Sequence, residues 1–205
     1  MELKMLVRLI KKSAVSVIVV TFVFGVAGIA LYYFVPQKFS AAGTFYVERS
    51  VENGAGRFFT YEGYYNQQTA IAYSNTVLGL LESDDVRTLA LKKLGIDITE
   101  QSLRRFNRQI KTTKTANQLI TLSVTATNPK KAESAFKALA QSTVDTSDKL
   151  SQTSDPFLHV ALVNNQPVVQ ETFRNVWVNL SIGMLLGFLL SVLFLSFKSY
   201  LKEQA

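Results

Sequence analysis

Side chains suited to acid–base or metal chemistry are few in this chain of 205 residues. His159 is its single histidine, so no second histidine is available to share a metal ion. Asp84 and Asp85 are neighbouring carboxylates, but they stand at a predicted helix start, where the helix dipole favours negative charge. Cysteine is absent, which excludes disulfides, thiol catalysis and Cys-based metal sites. We therefore expect no catalytic residue, no metal ion and no cofactor.

Motifs of common enzyme classes are missing from the sequence as well. It contains neither the Gly-x-x-x-x-Gly-Lys-Ser/Thr loop that cradles nucleotide phosphates nor the Gly-x-Ser-x-Gly turn that presents a nucleophile. We interpret the chain as a protein that binds or organises other molecules, and not as an enzyme.

The most basic stretch of the chain contains Arg104, Arg105 and Arg108, followed by Lys111 and Lys114. This stretch could contact an anionic glycan or a partner, but a solvated face is the favoured interpretation. The net charge of +7 does not indicate nucleic acid, because more than half of it belongs to the two short terminal segments. We expect no nucleic-acid partner.

A long uncharged run near the C-terminus predicts a membrane helix. Residues 175–197 lie between Arg174 and Lys198 and would span roughly 34 Å as a helix, which exceeds a hydrocarbon core of ~30 Å. Trp177 at one edge and Tyr200 beyond the other suit the headgroup zones. A buried core helix is the alternative, which the flanking cations and aromatic rings disfavour.

A second uncharged run follows four basic residues at the N-terminus. It is longer than the ~7 to 15 apolar residues of a secretory signal, so residues 13–35 are interpreted as an uncleaved membrane helix and not as a signal peptide. The positive-inside rule then places residues 1–12 and the tail at 198–205 in the cytoplasm. Residues 36–174 would form a domain outside it.

Those outer residues are predicted to fold as one compact α+β domain, with a small mixed or antiparallel sheet packed on helices. Residues 38–48 and 119–126 alternate apolar and polar side chains as half-buried strands do, and residues 109–115 would form a hairpin with the latter. The other predicted elements are helices over 64–81, 84–94, 100–106 and 129–150, capped by Ser83, Thr99 and Asn128, and a last strand over 157–163. Leu89 and Leu150 are expected on buried helix faces.

Small residues recur at helical spacing in both predicted membrane helices. Gly183, Gly187 and Ser191 share one face of the second helix, and Thr21, Gly25 and Gly28 share one face of the first. Small side chains let helix backbones approach closely in lipid. The two faces would pack within one chain, which we favour, or against a neighbouring subunit. Incidental glycines are the alternative, since glycine is common in membrane helices.

An aromatic patch precedes the first helix of the outer domain and enters it. It consists of Phe58, Phe59, Tyr61, Tyr64 and Tyr65. Stacking on sugar rings and contact with the membrane surface are two interpretations, and packing at a domain or subunit seam is the one we favour.

The order of these features resembles the chain-length determinant (Wzz-type) family of polysaccharide co-polymerases, and the resemblance covers nearly the whole chain. It is carried by an ordered set of segments between the two membrane helices: Pro36-Gln-Lys-Phe39-Ser-Ala41, Ser74-Asn-Thr-Val77-Leu-Gly-Leu-Leu-Glu-Ser83, Asn117-Gln-Leu-Ile-Thr-Leu-Ser-Val124 and Asn128-Pro129-Lys-Lys-Ala132. Pro36, Phe39 and Pro167 are the family-like positions near the membrane. Only Pro156 and Pro167 precede the second membrane helix, where the family usually has a proline-rich segment, and the long central helix of many members is missing.

The resemblance implies a minimal member of the family in an inner or plasma membrane. Such a protein would form ring-like homo-oligomers among membrane lipids and regulate the chain length, polymerisation or export of a surface polysaccharide with a polymerase or exporter. Some relatives also act on a separate tyrosine kinase. The alternative is a two-span adaptor or sensor that binds an extracytoplasmic ligand or modulates such a kinase, although the terminal segments are too short for an output domain.

Overall fold

The computed structural model describes residues 11–50 and 61–203, and the chain divides into two compact units. One unit combines the two ends of the chain, up to Gln37 and from Phe173 onward, and the other is Lys38–Thr172. In chain order the elements are α1 (Ala14–Phe34), β1 (Phe39–Arg49), α2 (Tyr61–Glu82), α3 (Asp84–Lys93), α4 (Glu100–Asn107), β2 (Ile110–Ala116), β3 (Leu119–Ala126), α5 (Pro129–Ser154), β4 (Leu158–Leu162), β5 (Val168–Glu171) and α6 (Val176–Glu203).

The described residues of the Lys38–Thr172 unit form a five-stranded antiparallel sheet with β1 at its centre. One edge of β1 pairs with β3, which in turn pairs with β2. The other edge pairs with β4 over Phe45–Arg49 and with β5 over Phe39–Ala42. The unit therefore combines helices with an antiparallel sheet, which confirms the predicted α+β fold class.

Strand β5 was not predicted from the sequence. The predicted last strand at residues 157–163 corresponds to β4, but the chain then returns to β1 a second time after a short loop. Val163 N donates to the Thr44 carbonyl at 2.9 Å before the loop, and Thr172 N donates to the Lys38 carbonyl at 2.9 Å after β5. Four residues are too short to show a periodic pattern, so only the pairing with β1 defines this strand.

The apolar core lies on one face of the sheet, as the alternation of residues in β1 and β3 predicted. Its fully buried strand residues are Ala41, Phe45, Val47, Ile120, Leu122 and Val124. Helix α5 packs on this face with the ring of Phe136, and a Cβ atom at Gly43 would lie 2.5 Å from Cζ of that ring. The opposite face is polar, with hydroxyl pairs such as Ser40–Ser123 at 2.7 Å.

Predicted caps begin the helices, but two predicted buried leucines are exposed. Ser83 Oγ accepts from Val86 N, Thr99 forms a capping box with Ser102, and Asn128 Oδ1 accepts from Lys130 N. The expectation for Leu89 was wrong, because α3 turns Val86, Ala90 and Leu91 inward instead. The expectation for Leu150 was also wrong, because the last part of α5 buries Ser147 and Ser151 while Leu150 is 43% exposed. Ser147 Oγ lies 3.0 Å from the hydroxyl of Tyr73 in α2.

Arg49 joins three parts of the Lys38–Thr172 unit at the end of β1. Its Nε donates to Asp155 Oδ2 at 2.7 Å, and its Nη1 donates to Oδ1 of Asn66 in α2. Its guanidinium also lies 5.4 Å from the ring centroid of Phe157, a favourable distance for a cation–π contact. The hydrogen bond from Arg49 lowers the pKa of Asp155, although burial opposes that shift.

We predict that Leu122→Ala lowers the free energy of unfolding of this unit by ~2 to 5 kcal/mol, because the side chain is fully buried. Hydrogen exchange of β3 amides in the full chain measures this quantity. Leu89→Ala is the matched control, and we expect it to cost less than about 1 kcal/mol because Leu89 is 46% exposed. Equal effects of the two substitutions would contradict the assigned core face.

We also predict a pH-dependent effect of Asp155→Asn. The pKa of Asp155 is lowered in the folded state, so its ionised form stabilises the fold above its unfolded pKa of about 3.9. That contribution is lost as the pH falls through the folded pKa. The Tm of Asp155→Asn should therefore be lower than that of the wild type at neutral pH, and the difference between the two Tm values should narrow below about pH 4. A constant difference across this range would exclude the ionic contribution.

Candidate functional site

Within residues 11–50 and 61–203, two helices are long and apolar enough to cross a membrane. They are Ala14–Phe34, with a mean hydropathy of 2.6, and Val176–Lys198 within α6, with a mean hydropathy of 2.4. Their bounds lie close to the predicted spans at residues 13–35 and 175–197. Helix α6 continues to Glu203, so most of the segment predicted as a tail is helical.

Small residues allow α1 and α6 to approach each other closely within their unit. A Cβ atom at Gly183 would lie 2.5 Å from the carbonyl oxygen of Phe24. One at Gly28 would overlap the carbonyl oxygen of Asn179. Because backbone atoms stand in the way at both places, only glycine fits without a shift of a helix. Both glycines thus lie where α1 and α6 of one chain come into close contact.

The other predicted small residues lie along the same seam. A Cβ atom at Gly187 would lie 3.0 Å from Cα of Thr21, and one at Gly25 would lie 3.0 Å from Cγ of Met184. Ser191 is buried, and its Oγ donates to the carbonyl of Phe188 at 2.8 Å. The six small residues singled out in the sequence are therefore brought together on one interface.

Large apolar side chains of these two helices point away from the seam. Phe22 is 63% exposed and Phe194 is 67% exposed, whereas the buried residues of α1 are Val17, Gly25 and Gly28. Placing large apolar side chains outside and small ones inside is typical of helices packed in lipid.

Aromatic and cationic side chains gather at one end of the helix pair. The guanidinium of Arg174, just before α6, lies 4.1 Å from the ring centroid of Tyr32 in the last turn of α1. Tyr33, Phe34 and Trp177 are exposed at the same helix ends. Aromatic rings are enriched at this position in membrane helices, where a ring meets both lipid and water.

The arginines of the predicted basic run differ in their surroundings. Arg104 pairs with Glu100 at 2.7 Å on the exposed surface of α4, and Arg105 is exposed. Arg104 and Arg108 line a small cleft together with Asp84 and Glu100. Arg108 also lines an open cleft of about 840 Å³ together with Lys38, Lys130 and Lys131. The three lysines were missed as site residues, although the Asn128-Pro129-Lys-Lys helix start was a signal that could have drawn attention to two of them.

The remaining sequence candidates belong to different segments of the chain. Phe39 opens β1, half-buried against the core, and Pro167 directly precedes β5. Pro36 follows the end of α1. His159 is exposed on β4, opposite Glu48 of β1. In residues 11–50 and 61–203, no group of three or more His, Cys, Asp or Glu residues is placed to hold a metal ion.

The aromatic patch is described only in part. Tyr61, Tyr64 and Tyr65 are exposed on the first turns of α2, and Phe58 and Phe59 lie outside the described residues. The ring of Tyr65 lies 5.7 Å from the Arg49 guanidinium, so one member of the patch contacts the cluster at the end of β1.

No family model matches the chain, and no curated protein matches it.

We predict that Gly183→Ala weakens the α1–α6 pair by ~1 to 3 kcal/mol, because the new Cβ would overlap the Phe24 carbonyl. Val17→Cys and Ser191→Cys line one groove between the helices, and they would be the only cysteines of the chain. Oxidative cross-linking should join the two helices after proteolysis of the intervening unit, and Gly183→Ala should reduce the joined product.

Gly79→Ala is the matched control, because nothing lies within 4 Å of a Cβ atom at Gly79 in α2. It should leave the cross-link unchanged and stabilise α2 by ~0.5 to 1 kcal/mol. Undiminished cross-linking in Gly183→Ala would mean that the close approach at Gly183 does not hold the pair together.

Proposed function

We propose that this protein is a membrane scaffold that crosses an inner or plasma membrane twice, assembles into ring-like homo-oligomers and regulates the chain length, polymerisation or export of a surface polysaccharide. The observation that carries the proposal is how the Lys38–Thr172 unit begins and ends. Thr172 N and its Oγ1 both donate to the Lys38 carbonyl at 2.9 Å, so the chain enters and leaves the unit at one point. Short segments join that point to α1 and α6.

This connectivity supports a domain held on one side of a membrane by two spans. The packed glycine seam supports a paired anchor, since small residues are how helices associate in lipid. The ordered segments that resemble polysaccharide co-polymerases favour a polysaccharide polymerase or exporter as the partner. A scaffold acts by holding other proteins in place, so the proposal needs no catalytic group in this chain.

The proposed orientation puts both termini in the cytoplasm. Lys11 and Lys12 precede α1, and Lys198 lies in the last part of α6. Cations therefore flank the end of each apolar stretch that is nearer to a chain terminus. The positive-inside rule assigns these flanks to the cytoplasm. The Lys38–Thr172 unit would then be periplasmic or extracellular.

The orientation is tested by labelling single cysteines in intact cells, which the cysteine-free sequence makes simple. An impermeant thiol reagent should modify Glu100→Cys and leave Glu2→Cys unmodified until the cells are opened. Labelling of Glu2→Cys in intact cells would contradict the orientation.

The function is tested by deleting the gene in its host and resolving the surface polysaccharide by gel electrophoresis. We expect an altered chain-length distribution that the wild-type gene and Gly79→Ala restore. Gly183→Ala should restore it incompletely if the helix pair is required for assembly. An unchanged distribution in the deletion strain, with an altered phosphorylation state of a tyrosine kinase, would favour the adaptor or sensor instead.

A further inference from the structure

The cleft that contains Arg108 brings together cations from distant parts of the Lys38–Thr172 unit. Lys38 precedes β1, Arg108 follows α4, and Lys130 and Lys131 stand in the first turn of α5. Hydroxyl side chains, including those of Thr127 and Ser134, share the lining with them. No carboxylate lines the walls of this cleft where the structure describes them. A concave surface with one sign of charge focuses the potential and attracts a ligand of the opposite sign.

Three of the cations in the cleft form no ion pair with a carboxylate among the described residues. Arg108, Lys130 and Lys131 take part in none of the ion pairs formed among the described residues. The nearest carboxylate along α5, that of Glu133, pairs with Lys137 at 2.7 Å. Like charges that converge without counter-charges repel one another, so a bound anion would relieve this repulsion.

The start of α5 adds partial positive charge to the same walls. Asn128 Oδ1 accepts from Lys130 N at 2.9 Å, and the Asn128 carbonyl accepts from Ala132 N at 3.0 Å. These bonds hold the first turn of a long helix in place, and a helix N-terminus favours an anion. The cations on three separate elements, and not the helix end alone, make the cleft a site.

Apolar side chains form the other part of the lining. Leu94, Ile96, Phe106 and Ala135 contribute to it, and Ile96 is 44% exposed. A bare inorganic anion would leave this apolar surface in contact with water. An organic ester that carries a charged phosphate would cover both parts of the cleft.

We propose that this cleft binds the phosphate group of an organic phosphate ester. Phosphate has several acceptor oxygens for Arg108 and the lysines, and the guanidinium of an arginine matches it in a bidentate geometry. The volume of about 840 Å³ accommodates a phosphate together with its organic substituent.

A phospholipid headgroup is the source of phosphate that the chain connectivity favours. Lys38 follows Phe34, the last residue of α1, by four positions, which an extended chain spans in at most about 14 Å. If α1 crosses a membrane, as in the proposed function, Lys38 is tethered within or near the headgroup layer, whatever the orientation of the two units. The assignment to a lipid rests on that membrane anchoring, whereas the phosphate site itself does not.

The test measures binding to the full chain in an uncharged detergent by isothermal titration calorimetry. The ligands are short-chain phosphatidylglycerol, short-chain phosphatidylcholine with no net charge, and inorganic phosphate. We expect the phosphatidylglycerol to bind at least about tenfold more tightly than the phosphatidylcholine, because only the former brings net negative charge to the cleft. Inorganic phosphate that competes at the same concentration as phosphatidylglycerol would show that the organic substituent adds no affinity, which would overturn the ester and leave a site for soluble phosphate.

Two charge-matched variants separate the cleft from general surface charge. Replacing Arg108, Lys130 and Lys131 by glutamine should weaken phosphatidylglycerol binding by about tenfold or more. The control replaces Arg105, Lys111 and Lys149, which are exposed and do not line the cleft, and should change binding by less than about threefold. Circular dichroism verifies that both variants fold. If the triple variant does not fold, the double variant Lys130→Gln with Lys131→Gln replaces it in the binding measurement.

Equal affinity for the two lipids, or an equal loss in both variants, would overturn the proposal. Its failure is distinguishable from failure of the proposed function, because polysaccharide length is measured in cells and does not enter the calorimetry. If the chain binds no phosphate ligand but still restores polysaccharide length, the proposal for the cleft is contradicted and the proposed scaffold function stands.

Discussion

Antiparallel pairing along both edges of β1 is the constraint on which the Lys38–Thr172 unit depends. The hairpin of β2 and β3 occupies one edge of β1, and β4 and β5 occupy the other edge in succession. The last two strands of the unit are therefore hydrogen-bonded to its first strand. This pairing places Thr172 beside Lys38 and brings both exits of the unit to one point. At the far end of β1, Arg49 holds α2 and the segment after α5 through Asn66 and Asp155. A central strand therefore fixes both the core and the point where the chain enters and leaves the unit.

The two units follow opposite packing rules. In the sheet unit the largest side chains, such as Phe45 and Phe136, are fully buried, because removal of apolar surface from water stabilises the fold. In the α1–α6 pair the buried positions are small residues such as Gly183, and Phe194 points outward. This inversion would be unfavourable in water, since it exposes an extended apolar surface. It is the arrangement expected where lipid surrounds the helices and close backbone contact drives their association.

The cations of the sheet unit fall into two groups, those that form ion pairs and those that line a cleft. Arg49 and Lys93 each have a carboxylate partner at 2.7 Å and serve to fix neighbouring elements. Arg108, Lys130 and Lys131 line one cleft and form no such pair among the described residues. An unneutralised group of cations within a concave surface is more informative than the net charge of +7, which only reports the balance of the whole chain.

The sequence by itself determined the features that depend on neighbouring residues. The alternation in β1 and β3, the caps at Ser83, Thr99 and Asn128 and the small residues of both apolar helices were all predicted, because each is written in a local pattern of polarity, size or capping chemistry. Tertiary structure alone decided the existence of β5, the inward turn of Leu91 in place of Leu89, the Arg49–Asp155 pair and the convergence of Lys38 with Lys130. Each of these depends on which segments meet in space, and some of those segments are about a hundred positions apart. Local patterns do not contain that information, because the same short strand or charged turn is compatible with many partners until the surrounding sheet and helices select one.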